Sequence, residues 1–280
     1  MKEITWQSPS NIAIVKYWGK YAHQIPANPS ISFTLNNSNT TTTLSWEEKP
    51  NNNNFDFEIW FEGKLEPSFY PKIETYFGRV EHMLPFLKDY RFKIETQNTF
   101  PHSSGIASSA SGLSALSLCL ASMAQTLNIP HQENFMKFAS TLSRLGSGSA
   151  SRSVYGGLVV WGEHNLIENS SDHFAIPYPD EVHNIFKTFQ DTILLVDKGE
   201  KQVSSTAGHG LMDGHPYAAH RFKQAHENIN ALKPILKSGD VNAFGNLLES
   251  ILISSPKSIA FCHIIKPSNL NLLYFMNTSI

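Results

Sequence analysis

The sequence is short of charge. Lys, Arg, Asp and Glu make up 16% of its 280 residues, against roughly 25% in a typical soluble domain, and Ser, Asn and Thr fill the deficit. Basic and acidic residues nearly balance, 22 against 24. No basic run marks a groove for a nucleic-acid backbone, so nucleic acid is excluded as the expected partner. A neutral polar surface favours self-association more than a highly charged one, which makes a homodimer the expectation. Cysteine is scarce: Cys119 and Cys262 lie far apart, which excludes a disulfide framework and fits a reducing compartment. No run of 18 apolar residues occurs, and the start lacks a basic-then-apolar signal pattern. A cytoplasmic protein with no membrane partner is therefore expected. Zinc signatures are missing too. The nearest cluster, His209, Asp213 and His215, has no metal-ligand spacing and reads as polar loop residues.

What is present is a series of apolar patterns broken by small-residue loops. At this length two subdomains are favoured over a single core, with the boundary near residues 180–188. Residues 4–16 read as a strand, an interruption at Ser8-Pro9-Ser10-Asn11, and a second short strand. Residues 30–46 read as two strands around an Asn36-Asn37-Ser38-Asn39 turn, and residues 55–61 as an alternating strand closed by Glu62-Gly63-Lys64. An amphipathic helix is predicted over residues 70–87 and a strand over 90–97. Helices follow over 108–127 and 132–145, then a strand over 154–161 opened by Gly156-Gly157. Beyond the boundary come a strand at 192–196, helices at 216–236 and 240–253 with Pro234 ending or kinking the first, and a final strand at 276–280. Strands with helices segregated to one side define an α+β class.

Three loops carry candidate chemistry. In Pro101-His102-Ser103-Ser104-Gly105-Ile106-Ala107-Ser108-Ser109-Ala110-Ser111-Gly112, glycine and serines crowd the start of a helix, where free backbone N–H groups and the helix dipole favour an anion. The spacing is neither GxxxxGK[ST] nor a first-strand GxGxxG. The same residues serve equally an ordinary capped helix packed through its small side chains. Lys16-Tyr17-Trp18-Gly19-Lys20 places two lysines four apart, suited to bracketing a polyanion or to a solvated loop around a core aromatic. In Gly146-Ser147-Gly148-Ser149-Ala150-Ser151-Arg152-Ser153, Arg152 offers a planar fork to phosphate or carboxylate. A further small-residue loop runs from Val203 to Gly208. Several phosphate-compatible loops together point to phosphoryl transfer.

Taken together, these segments resemble the diphosphomevalonate decarboxylases of the GHMP kinase superfamily. The blocks that carry the likeness are Ser10-Asn11-Ile12-Ala13-Ile14-Val15-Lys16-Tyr17-Trp18-Gly19-Lys20, residues 98–112 and residues 146–157. The resemblance implies a GHMP kinase fold: an ATP-binding domain like the second domain of ribosomal protein S5 over 1–185, and a shortened ferredoxin-like domain over 186–280. It implies ATP and Mg²⁺, phosphorylation of the tertiary 3-hydroxyl of mevalonate 5-diphosphate, and loss of phosphate and CO₂ to give isopentenyl diphosphate. Pro101, Ser103, Ser104, Gly105, Ile106, Ala107, Ser108 and Ser109 would wrap the ATP phosphates, with Ser109 at Mg²⁺. Tyr17, Trp18, Lys20, Ser147, Gly148, Ser149 and Arg152 would line the substrate, and Lys16, Ser109 and Arg152 would act in catalysis. Relatives carry a late Asp-Ala-Gly whose aspartate sits beside the 3-hydroxyl. This sequence has no Asp-Ala-Gly and its last acidic residue is Glu249. Binding surfaces with much reduced turnover are therefore expected. A kinase that stops at 3-phosphorylation and a non-catalytic ligand-binding homologue are the competing outcomes.

Overall fold

The computed structural model describes residues 1–50, 53–102, 106–131, 133–195, 212–253, 261–267 and 274–277. A seven-stranded sheet is built from β1 (Lys2–Val15), β2 (Ser30–Glu48), β3 (Asp56–Phe61), β4 (Lys64–Leu65), β5 (Tyr90–Asn98), β6 (Leu158–Trp161) and β7 (Ala175–Pro177), in the order β4-β3-β5-β2-β6-β7 with β1 paired to β2. The long strand β2 organises it. β1 runs antiparallel along one side, while β5 takes Thr40–Glu48 and β6 takes Ser30–Phe33 on the other. A separate three-stranded antiparallel sheet joins β8 (Phe189–Leu195), β9 (Phe261–Pro267) and β10 (Tyr274–Asn277) in the order β10-β9-β8.

Two strands depart from expectation in the same way. Residues 4–16 form one strand rather than two, and residues 30–46 contain no turn. Ser10 pairs with Leu35 and Pro9 with Asn39, so Asn36-Asn37-Ser38 is absorbed as an irregularity inside β2. Asparagines that look like a turn become a bulge because β1 pairs with β2 both before and after them.

Helices α1 (Tyr70–Val80), α2 (Ser108–Thr126) and α3 (Phe135–Gly146) share a core with the sheet. Helix α1 buries Ile73, Tyr76, Phe77 and Val80, one stripe at helical spacing. It stops at Val80 rather than reaching residue 87. Pro85 holds Leu84 out of helical geometry, and a 3₁₀ turn, Pro85–Lys88, follows. Helix α2 is buried nearly all round, and its Ala and Ser residues allow close approach by β1, β2 and α3. Helix α3 begins at Phe135, later than expected, because the Asn134 side chain caps the Lys137 amide at 2.9 Å. The strand expected over 154–161 is confined to Leu158–Trp161.

A short helix α4 (Ala150–Ser153) precedes β6, and α5 (Ala218–Ser238) and α6 (Val241–Ile253) follow β8. Pro234 lies inside α5, which continues to Ser238 instead of ending at the proline. Leu232 and Leu236 are fully buried on either side of it, and that burial offsets the lost backbone hydrogen bond. A second core joins the two sheets' elements. Ile12, Ile14, Ile31 and Val160 pack with Phe186, Ile229, Leu232 and Phe244. Helix α5 thereby lies against the β1–β2–β6 region. Among the described residues no helix is long and apolar enough to cross a membrane.

Candidate active site

Adjacent residues near the middle of β1 hold two different loops. The Ser10 hydroxyl donates to the Ile106 carbonyl, just before α2. The Asn11 carboxamide accepts from Arg152 Nη2 at 3.3 Å and donates to Ser149 and Ser153, at 3.2 and 2.7 Å. One strand thus ties the phosphate-loop candidate to the glycine-serine loop.

On the first side, α2 starts without a side-chain cap. Its N-cap is Ala107, which has no acceptor and sits at φ 53°, ψ 41°, a left-handed conformation that alanine adopts only under constraint. The first turn holds no acidic residue. Ser108 and Ser109 are half-buried there, and Thr40 meets Ser111 hydroxyl to hydroxyl at 2.6 Å one turn on. The sequence leaves open a capped helix or an anion cradle; in the structure no side chain caps the helix start, and its hydroxyls stand at the mouth. Ser103, Ser104 and Gly105 lie outside the described residues. His102 meets Phe61 edge-on and Phe69 at a tilt, at 5.1 and 5.3 Å between ring centroids. Burial and the neighbouring Lys72 lower its pKa against the pull of Glu62 and Glu66.

The second side is cationic and largely buried. Arg152 is 2% exposed, and its hydrogen bonds go to neutral oxygens: Nη1 to Ser30 Oγ at 2.6 Å, Nε to Ser32 Oγ at 3.0 Å, and Nη2 to Asn11. One N–H on each terminal nitrogen is left over, enough to donate to a carboxylate. Burial lowers its pKa to about 10, opposed by Tyr17, so the charge survives at neutral pH. The guanidinium lies 5.8 Å from the Trp161 ring, and Tyr17 meets that ring edge-on at 4.9 Å. Gly148 closes the group: a Cβ there would stand 2.4 Å from Trp161 and 3.2 Å from the Tyr17 hydroxyl. Burial raises the Tyr17 phenol, with Arg152 and Arg144 pulling it back. Ser147 and Ser149 flank Gly148 with hydroxyls 3.4 Å apart, both half-buried.

Lys16 follows β1 and is 7% exposed, and burial lowers its ammonium to about 8. Lys20 is pulled down by partial burial and by Arg79. The segment between them is pinned by Asn28, whose side chain donates to the Lys16 and Pro29 carbonyls (2.9 and 2.8 Å) and accepts from the Trp18 amide at 3.0 Å. Trp18 lies 5.3 Å beneath the Arg221 guanidinium of α5, and a Cβ on Gly19 would meet Phe222 at 2.8 Å. The structure thus brings Tyr17, Gly148, Ser149 and Arg152 together, and places Trp18 and Gly19 against α5.

Asn11, Asn28, Ser30, Ser32 and Arg144 are site-building residues that sequence reasoning misses. Asn11, Ser30 and Ser32 do carry a signal, since Asn11 stands inside a family-like block and the segment Pro29-Ser30-Ile31-Ser32-Phe33-Thr34-Leu35 also resembles the family, but the neighbours of Asn11 have the composition of a turn. Val203–Gly208 and His209 lie outside the described residues, and no group of three or more metal-ligating side chains occurs among those described. Cys119 is buried, its thiol pushed up to about 12. A cavity of about 440 Å³ at the start of α3, lined by Phe135, Met136, Tyr155 and Ile176 among others, shares no residue with either side of the site.

Comparison with solved structures gives this α+β fold as the GHMP kinase fold. Residues 8–174 match the family model described as "Diphosphomevalonate decarboxylase-like N-terminal domain". The chain belongs to that family. It is 30% identical to diphosphomevalonate decarboxylase from Ganoderma lucidum, over 88% of this chain and 62% of that one, and 30% identical to the Candida albicans enzyme, over 86% and 67%. Mevalonate diphosphate decarboxylase from Staphylococcus aureus superposes with a TM-score of 0.72 at 27% identity, covering 89% of this chain and 71% of that one. A complex of MDDEF with MVAPP, AMPPCP and magnesium superposes with a TM-score of 0.74 at 28% identity, covering 89% and 72%. The chain spans about six tenths of the length of the Ganoderma relative.

Proposed function

We propose that this chain binds ATP with Mg²⁺ and mevalonate 5-diphosphate, phosphorylates the 3-hydroxyl of the latter, and releases ADP, phosphate and CO₂ to form isopentenyl diphosphate. The observation that carries the reading is Arg152: a buried guanidinium hydrogen-bonded to neutral groups, with two N–H donors to spare, tied through β1 to an uncapped helix start. A buried cation whose partners are all neutral is costly unless a ligand anion completes it. The complex of the relative with MVAPP, AMPPCP and magnesium supports the ligand set.

Residues 1–185 would form the ATP-binding domain and 186–280 the ferredoxin-like one, a division that the two separate sheets support. Backbone N–H groups at the start of α2 would take the ATP phosphates, and the Ser109 hydroxyl would reach the metal, which keeps most of its ligands from phosphate and water. Bound Mg²⁺ supplies neutralisation of charge on the transferring phosphoryl group. Lys16, Tyr17, Lys20, Ser147 and Ser149 would hold the substrate diphosphate. Arg152 would orient the carboxylate so that its C–C bond aligns with the departing 3-phosphate, electrons flowing from that bond into the new double bond as CO₂ leaves. None of these groups is a carboxylate able to polarise the 3-hydroxyl. For the 280-residue chain assayed as it stands, turnover is accordingly expected roughly 10² to 10⁴ below that of a relative with such a group.

The test is paired measurement of ADP and CO₂ from the purified chain given ATP, Mg²⁺ and mevalonate 5-diphosphate. Equal release of both is expected. ADP without CO₂ would replace the decarboxylase by a kinase, and ATP binding with neither product would make the chain a ligand-binding homologue.

A further inference from the structure

We propose that Arg144 is a positioning residue that holds the loop carrying Lys20 in its substrate-binding conformation; this rests on the functional reading above. Arg144 closes the last turn of α3 and is 5% exposed. Its guanidinium reaches two backbone carbonyls from distant parts of the chain. Nε donates to His173 at 2.8 Å, and Nη1 donates to His23.

The second contact falls on unusual backbone. His23 and Gln24 are consecutive non-glycine residues with φ of 55° and 60°. Such pairs persist only where their surroundings over-determine them. They cap a tight loop closed by Tyr21 N to Ile25 O at 2.8 Å, Ala27 N to Gly19 O at 2.8 Å, and a bridge between Lys20 and Pro26. Lys20 therefore takes its place from a turn whose apex carbonyl is held from α3. The same helix runs directly into Gly146-Ser147-Gly148-Ser149. One rigid element thereby sets the loop with Lys20 and the serine loop in a fixed relation.

The charge has a place as well. Burial lowers the Arg144 pKa, with Asp172, Glu133 and Tyr17 pulling the other way toward the protonated guanidinium. Arg144 and Arg152 both act on Tyr17, and the two hydrogen bonds that Arg144 makes go to backbone carbonyls. It shapes the site through the loop rather than by touching the ligand. Lysine could keep the charge but cannot bridge two carbonyls with a planar fork.

The test uses the full chain and the variants Arg144→Met and Arg144→Lys. Hydrogen exchange of the 20–27 segment should speed up about tenfold or more in Arg144→Met, with β2 exchange unchanged. The dissociation constant for mevalonate 5-diphosphate should weaken by about tenfold while that for MgATP stays within about twofold, and Arg144→Lys should fall between wild type and Arg144→Met. Unchanged loop exchange, or equal weakening of both ligands alongside a general loss of exchange protection, would overturn the proposal. If the wild-type chain binds no mevalonate 5-diphosphate, the functional reading falls, and loop exchange alone then decides the positioning role.

Discussion

The two sides of the proposed site are built differently. The α2 side presents backbone N–H groups and serine hydroxyls around an alanine that cannot cap its own helix. The Arg152 side presents a buried cation wedged among Tyr17, Trp161 and Gly148, its orientation fixed by Ser30, Ser32 and Asn11. A cradle of backbone dipoles needs little packing beneath it. A buried guanidinium needs every neighbour in place, because each unsatisfied donor in a buried site is expensive. The second side should therefore be far less tolerant of change than the first.

Glycines on the two sides give the sharpest contrast. Gly148→Ala drives a methyl group into the fully buried Trp161 ring, so unfolding stability should drop by about 1–3 kcal/mol and mevalonate 5-diphosphate binding should be lost, as read by thermal melting and calorimetry. Lys16 provides the next test. Its proton leaves at about 8 in the folded chain, against 10.5 when exposed. Between those pH values the unfolded chain binds the extra proton, so the Lys16 contribution makes stability rise with pH. Wild type should gain on Lys16→Met across that window, by on the order of 1.4 kcal/mol per pH unit at most; a constant gap between the two melting curves would refute a depressed lysine. The smallest effect is on the α2 side. Gly112 has open space where a methyl group would stand and an ordinary helical backbone, so Gly112→Ala should stabilise by about 0.5–1 kcal/mol. Destabilisation there, read by the same thermal melts, would erase the distinction between the two sides.

The same contrast explains what is legible in the sequence. The α2 side is legible because its chemistry is local: small residues, then helical periodicity, within one dozen positions. On the other side the ends of the arrangement are legible, Lys16-Tyr17-Trp18-Gly19-Lys20 and Arg152, but its scaffold is not. Arg152 meets Ser30, Ser32 and Asn11 across 120 to 141 residues of sequence, and no periodicity reports a contact of that kind. Asn11 misleads for a physical reason. Ser8-Pro9-Ser10-Asn11 has turn composition, yet β2 pairs on both sides of it and keeps the chain extended. Asn36-Asn37-Ser38 misleads in the same way. Arg144 looks like an ordinary basic residue at a helix end, where its charge also suits the dipole; only the left-handed His23 and Gln24 reveal what it holds.

The most direct test of a divided site is calorimetric binding of two ligands, MgATP and mevalonate 5-diphosphate, to wild type and to Arg152→Gln. The variant should lose on the order of 100-fold in affinity for mevalonate 5-diphosphate and keep MgATP affinity within about twofold. Equal weakening of both ligands, or no change in either, would contradict a site divided between a backbone cradle and a buried arginine fork.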